Sequence, residues 1–246
     1  TRYQGVTGVQ TCALPILCIM KSIIIIVCIN QKQRSILKMG IFNNTENEQS
    51  FNEAIETRRT IYNLEKTISI SDEELEELIA HAVKHVPSAF NSQSTRIVLL
   101  LNDKNEQFLE NTKSILKETM GPDRDFEPTR QKIDNFKHSH GTILYYEDQS
   151  VINALQDKMP NFYENFEIWS NQANAMHQYA IWTALATKGI GASLQHYNPI
   201  VDESTASQFD IPNTWKLIAQ MPFGDVRESA NEKEIKPVED RFIIKK

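Results

Sequence analysis

The stretch "GASLQHYNP" at residues 191–199 decides how the chain is read. A long helical pattern runs up to it from about Phe162 to Lys188 and closes at Gly189, the expected helix exit. The inner positions of that pattern are small or flat: Ala173, Ala175, Met176, Ala180, Ala184 and Ala186. "GASLQHYNP" itself reads as strand-like, and so does "TWKLIAQMPFGD" (214–225) beyond it. Its small and amide residues offer hydrogen bonds without charge.

Upstream, "SISDEELEELIAHAVKHVP" (69–87) is the clearest helix. Ser71 and Glu74 form an S-x-x-E capping box, and Leu75, Leu78, Ile79, Ala82, Val83 and Val86 make one apolar stripe before Pro87. His81 and His85 stand four apart, but the local sequence offers no third metal ligand, so a solvated face is the better reading. "NEQSFNEAIETRRT" (47–60) carries a shorter helical period through Phe51, Ala54 and Ile55. "RIVLLLN" (96–102) and "GTILYYED" (141–148) are central strands, with an amphipathic helix over 104–120 and a polar, irregular excursion over 121–138. The tail "EIKPVEDRFIIKK" (234–246) is extended and of mixed charge. Strand and helix alternate without a strict βαβ rhythm, so the class is α+β. Neither G-x-G-x-x-G nor G-x-x-x-x-G-K-[ST] occurs, which argues against the usual nucleotide folds.

Composition divides the chain. All three cysteines (Cys12, Cys18, Cys28) precede residue 39, whereas the first of the 32 acidic residues is Glu46. The segment "VTGVQTCALPI" (6–16) resembles the in-frame translation of a common sequencing adapter, and the Ile- and Lys-rich run after it reads as translated AT-rich DNA. Residues 1–38 are therefore expected to be non-native read-through, with Met39 the native start and residues 39–246 one domain. The apolar run near Ile23–Ile29 is too short to span a bilayer, which takes about 20 residues. A cysteine-free acidic body fits a reducing cytoplasm and argues against a general nucleic-acid binder or a membrane protein.

Four polar segments stand out: "RRTIY" (58–62), "PSAFNSQ" (87–93), "GASLQHYNP" and "IKPVEDR" (235–241). Arg58, Arg59, Lys236 and Arg241 suit an anion clamp, and the amide-rich segments suit a flat polar ring. Each piece has an ordinary reading too. Cations at a helix end oppose its dipole, Asn91 and Gln93 suit a loop, and Ser88 lacks the context of a nucleophile elbow.

Taken in order, "RRTIY", "PSAFNSQ" and "GASLQHYNP" resemble the motifs of the nitroreductase family. The narrower likeness is to the subfamily of yeast nitroreductase-like proteins and a copper-induced bacterial nitroreductase, over about residues 48–246. The resemblance implies an α+β fold with a central, mostly antiparallel sheet flanked by helices, in an intertwined homodimer. It implies FMN at two interfacial clefts, NADPH or NADH as co-substrate, and a small-molecule acceptor of nitroaromatic or quinone type, reduced by a ping-pong mechanism.

Arg58, Arg59 and Thr60 would then hold the ribityl phosphate and the pyrimidine side, with Tyr62 beside them. Ser88, Ala89, Asn91 and Gln93 would reach in from the partner subunit. Leu194, Gln195 and His196 would lie along the isoalloxazine, and Lys236 and Arg241 would complete the phosphate clamp. No side chain is assigned a catalytic or metal-binding role, since the chemistry would be carried by FMN. Two departures are visible: many relatives have a lysine or arginine where Tyr62 stands, and many have proline where Ser94 stands. The alternative is a non-catalytic flavin-binding or regulatory protein, in stress or lipid signalling, on the same scaffold.

Overall fold

The computed structural model describes residues 51–246, and the expectations placed on residues 1–38 and on Met39 lie outside them. The described chain begins with α1 (Phe51–Thr57), β1 (Leu64–Glu65), α2 (Asp72–His85) and β2 (Thr95–Leu101). It continues through α3 (Asn102–Met120), α4 (Glu127–Phe136), β3 (Gly141–Asp148) and α5 (Gln149–Lys158). The long α6 (Tyr163–Thr187), β4 (Ile190–Ala192), α7 (Asp202–Gln208) and β5 (Trp215–Val226) complete it.

Strand β3 organises the fold. All eight of its residues are buried, because both faces of the sheet are covered. Side chains alternate across a strand. Ile143 and Tyr145 therefore enter one core with Leu75 and Ile79 of α2 and Ile181 and Leu185 of α6. Leu144 and Tyr146 enter the other, with Phe108 and Leu109 of α3 and Ile133 and Phe136 of α4. The result is three layers, helices on each side of one antiparallel sheet.

β2 and β5 pair antiparallel with β3, and the β3–β5 register shifts between Tyr145 and Tyr146. Phe223 lies opposite both Gly141 and Ala192, and Asp225 opposite both Glu65 and Ile190. Strand β1 thus continues the edge of β5 where β3 ends, and β4 takes the other edge. Gly224 permits this crowding: a Cβ there would stand 2.2 Å from the Glu65 carbonyl oxygen.

The capping box at Ser71 and Glu74 forms in both directions, with Glu74 N–H donating to Ser71 Oγ and Ser71 N–H to Glu74 Oε2. Leu75, Ile79 and Ala82 of its stripe are buried, but Val83 stays exposed. Three expectations are corrected. The stretch 121–138 is not irregular: it holds α4, whose two buried anchors, Ile133 and Phe136, are too few to show a period. "GASLQHYNP" is a strand only through Ala192, after which Gln195 makes a single bridge to Gln220. Ala175 and Met176 face outward, and the buried side of α6 adds polar Ser170, Asn174, His177, Gln178 and Thr183 to apolar Phe166, Ala173, Ile181 and Leu185.

Candidate functional site

The segment after α1 has no hydrogen-bonded strand of its own, yet it is held in place. Ile61 N–H donates to the Ala192 carbonyl at 3.0 Å, and Thr60 forms a parallel bridge with Ala192. "RRTIY" therefore lies against "GASLQHYNP". Gly191 is the reason they can meet, since a Cβ there would stand 3.1 Å from Ile61 Cβ and 2.9 Å from Val226 Cγ2.

From this seam the side chains diverge. The Arg58 guanidinium lies over the Trp182 ring at 4.5 Å and faces Tyr179 at 5.9 Å, both on α6. Arg58 Nε and Trp182 Nε1 are buried donors without a hydrogen-bond partner among the described residues. An unpaired buried donor costs about 1–3 kcal/mol. Arg59 Nη2 donates to the Asn231 carbonyl at 2.6 Å, which ties the start of the tail to the seam.

On the "GASLQHYNP" side, Ser193 N–H and Gln195 N–H both donate to β5, to the carbonyls of Pro222 and Gln220. Backbone donors alternate along an extended chain. The N–H groups of Leu194 and His196 are consequently turned away from β5, toward the seam. Gln195 departs from the expected posture: its side chain is buried and donates to Ser193 Oγ at 2.7 Å. Leu194 packs on the α2–α6 core, and His196 is exposed.

Tyr62 stacks on Phe136 of α4, with ring centroids 6.3 Å apart. The Lys132 ammonium, also from α4, lies about 6 Å from three rings, those of Tyr62, Phe136 and Tyr197. Burial pushes its pKa below the ordinary lysine value. Burial also raises the pKa of the neighbouring Tyr197 hydroxyl. Sequence reasoning missed Lys132, because it lay in the stretch taken as irregular, and missed Tyr179 and Trp182, because helix periodicity does not reveal a partner across the fold.

The remaining expected residues lie apart. "PSAFNSQ" packs at the start of α6, where Phe90 meets Phe162, Phe166 and Trp169. Trp169 and Trp182 are separated by about 20 Å of helix at 1.5 Å per residue. Within one chain, then, Ser88, Ala89, Asn91 and Gln93 do not line the Arg58 seam. Phe90, Asn91 and Gln93 all have positive φ (54°, 52° and 48°), a conformation that costs a non-glycine residue about 1–2 kcal/mol. Lys236 and Arg241 sit on the exposed tail, where Arg241 Nη2 donates to the Lys236 carbonyl. No hydrogen bond or ion pair joins either to Arg58 or Arg59 among the described residues. The His81 and His85 rings lie 4.4 Å apart, tilted by 43°, on the exposed side of α2.

A model of the nitroreductase family matches residues 55–225, which span the seam, both cores and the whole sheet. The chain belongs to the nitroreductase family. Membership places it among flavin-dependent oxidoreductases. It is 40% identical to the nitroreductase CinD from Lactococcus lactis, solved with nicotinic acid, over 80% of this chain and 100% of that one, with a TM-score of 0.75. It is 29% identical to the nitroreductase FRM2 of Saccharomyces cerevisiae over 173 residues, 70% of this chain and 85% of the relative. A protein from Exiguobacterium sibiricum solved in complex with FMN shares the fold, at 14% identity and a TM-score of 0.61, over 82% of this chain and 100% of that one. The nitroreductase-like fold expected from the motifs is the one observed. Among the described residues, no helix is long and apolar enough to cross a membrane.

Proposed function

We propose that the chain is an FMN-dependent NADPH or NADH oxidoreductase that reduces nitroaromatic or quinone-type acceptors. In this reading it works as a cytoplasmic homodimer, admitting donor and acceptor in turn to one cleft. The observation that carries the reading is the pair of buried donors without a partner among the described residues, Arg58 Nε and Trp182 Nε1, beside the seam with β4.

A phosphate fits them. The guanidinium presents a planar fork of donors, and its stacking on Trp182 holds that fork in one orientation. Arg59 and Thr60 would flank the phosphate, with Lys236 and Arg241 completing the clamp. The outward N–H groups of Leu194 and His196 would donate to the ring, along which Leu194, Gln195 and His196 lie. Tyr62 and Lys132 would meet its pyrimidine side, where an ammonium favours negative charge on the ring and so raises its readiness to accept electrons. When bound, FMN supplies the hydride chemistry, taking hydride from the nicotinamide and passing electrons to the acceptor. CinD has also been solved with 4-nitrophenol and with chloramphenicol, both nitroaromatic compounds, which supports that acceptor class here.

The homodimer is supported by what one chain leaves uncovered. Phe51, Ile55, Ile168, Met176 and Tyr179 are exposed around α1 and α6, and Phe242, Ile243 and Ile244 are exposed on the tail. Apolar surface of this extent on a soluble protein marks an interface. A second copy would also bring a "PSAFNSQ" loop, which one chain packs at the end of α6 away from Trp182.

The test is the visible absorption spectrum of the purified chain, before and after NADPH is added without oxygen. A flavin double band that bleaches is the expected result. A colourless protein that takes up no FMN on incubation would overturn the reading in favour of a regulatory protein on the same scaffold.

Lys132→Met is expected to weaken FMN binding about tenfold near neutral pH, the order of one charge-assisted contact. The sign with pH follows from burial, which lowers the Lys132 pKa from 10.5 so that its ammonium is lost earlier on the way up. The advantage of the wild type over the variant should therefore shrink as pH rises toward 10.5. Paired fluorescence titrations of FMN at several pH values measure it, and a pH-independent gap would speak against a role for the charge.

A further inference from the structure

Glu147, on the central strand β3, is fully buried, and no ion pair includes it among the described residues. A buried carboxylate without a cation must be met by hydrogen-bond donors. Here three side chains converge on it. Ser94 Oγ donates to Oε2 at 2.6 Å, Thr95 Oγ1 to Oε1 at 2.6 Å, and Asn174 Nδ2 of α6 to Oε1 at 2.9 Å. Asn174 also donates to the Tyr146 carbonyl and accepts from Gln178 Nε2 at 2.7 Å. Gln178 lies one helical turn before Trp182, the ring beneath Arg58.

Ser94 and Thr95 follow directly on "PSAFNSQ", whose loop holds three non-glycine residues at positive φ. Such a conformation persists only where its surroundings over-determine it. The loop's own bonds are local: Gln93 N–H donates to Ser88 Oγ at 2.9 Å, Asn91 N–H to the Ser88 carbonyl at 3.0 Å and Ser92 N–H to the Ala89 carbonyl at 3.1 Å. Its exit is fastened to the central strand. Besides the two hydroxyls on Glu147, Asp148 N–H donates to the Ser94 carbonyl at 3.0 Å. Arg96 bridges the Gln93 carbonyl (2.7 Å) and Asp148 Oδ2 (3.0 Å).

We infer that Glu147 is a positioning residue, a buried carboxylate that fixes the path of the 88–93 loop and with it the Asn91 and Gln93 side chains that face the ligand. The inference rests on the proposed function for the identity of that ligand, but not for the clamp. Glu147 touches no ligand itself. It holds Ser94 and Thr95 to the rigid centre of the sheet and couples them through Asn174 and Gln178 to the helix that carries the floor under Arg58. One group thus ties together a loop and a helix segment that, in the proposed homodimer, serve different clefts.

Ser94→Ala and Thr95→Val each remove one hydroxyl, the second with little change of shape. Glu147→Gln is the conservative counterpart, because an amide still accepts at Oε1 while its NH2 donates to Ser94 Oγ. Amide hydrogen exchange is measured first on each purified chain without FMN. Exchange over residues 88–95 is expected to quicken about tenfold in either hydroxyl variant, with α2 and β5 unchanged, and to stay near native in Glu147→Gln. FMN affinity and the absorption bands of bound flavin are then compared. A loss of about tenfold is expected in the hydroxyl variants and recovery in Glu147→Gln, since small misplacement of aligning groups has effects of that order or larger.

Native exchange over 88–95 in whichever hydroxyl variant is folded would overturn the inference. So would native FMN affinity and native bands in a variant with a loosened loop. Failure of the wild-type chain itself to take FMN would strike the proposed function instead, and the exchange result would still decide whether Glu147 sets the loop.

Discussion

Arg58→Ala is expected to yield a folded protein that purifies without flavin and binds FMN about a hundredfold more weakly. A hydrogen bond to a charged group is worth about 1.5–3 kcal/mol, and 2.7 kcal/mol is roughly two decades in affinity. The fold should survive. The side chain contributes stacking on Trp182 of about 0.5–2 kcal/mol, and its removal also releases a buried donor that has no partner among the described residues. Arg58→Lys should fall between, because an ammonium keeps the charge but not the planar fork. The ratio of flavin to protein absorbance in each purified variant, followed by FMN titration, is the measurement. Unchanged occupancy in Arg58→Ala would sink the phosphate assignment while leaving the family untouched.

Gly224→Ala should damage the fold rather than the chemistry. The added Cβ would stand 2.2 Å from the Glu65 carbonyl oxygen and 3.1 Å from the His140 nitrogen. Both are backbone atoms, so no rotamer change relieves the clash. β1 and the start of β3 would have to move off β5, opening the edge opposite β4. Overpacking of this kind costs about 3 kcal/mol or more, which lowers the melting temperature of a domain this size by roughly 6–12 °C. Gly121→Ala is the comparison: its backbone is strained at φ 73°, but the space around it is open, so the loss should be smaller. Thermal unfolding followed by circular dichroism distinguishes the two, and equal melting points would mean that β5 has room the geometry denies.

Much of the local structure could be read from residues close together in the chain. Ser71 and Glu74 are three apart and their box forms in full. The "GTILYYED" strand holds over the same eight residues, because its Ile143–Tyr146 run has nowhere to lie but between two covered faces. Gly121 and Gly189 end their helices with positive φ, as the chemistry of helix exits requires. α4 escaped because its signal is two residues, Ile133 and Phe136, in an otherwise polar segment. α1 was legible as a helix, but not the fact that Phe51 and Ile55 stay exposed among the described residues.

The candidate site divides in the same way. That Arg58, Arg59, Thr60 and the "GASLQHYNP" segment carry binding chemistry was visible in the residue types and their order. That Thr60 pairs with Ala192, that Arg58 rests on Trp182 with an unanswered donor, and that Lys132 stands among three rings was decided only when distant segments met. Capping, turn geometry and strand alternation act over a few residues, so sequence alone carries them. Which ring lies under a guanidinium, and which carboxylate receives a hydroxyl, depends on how helices and strands far apart in the chain pack across the sheet, and packing is a property of the whole fold.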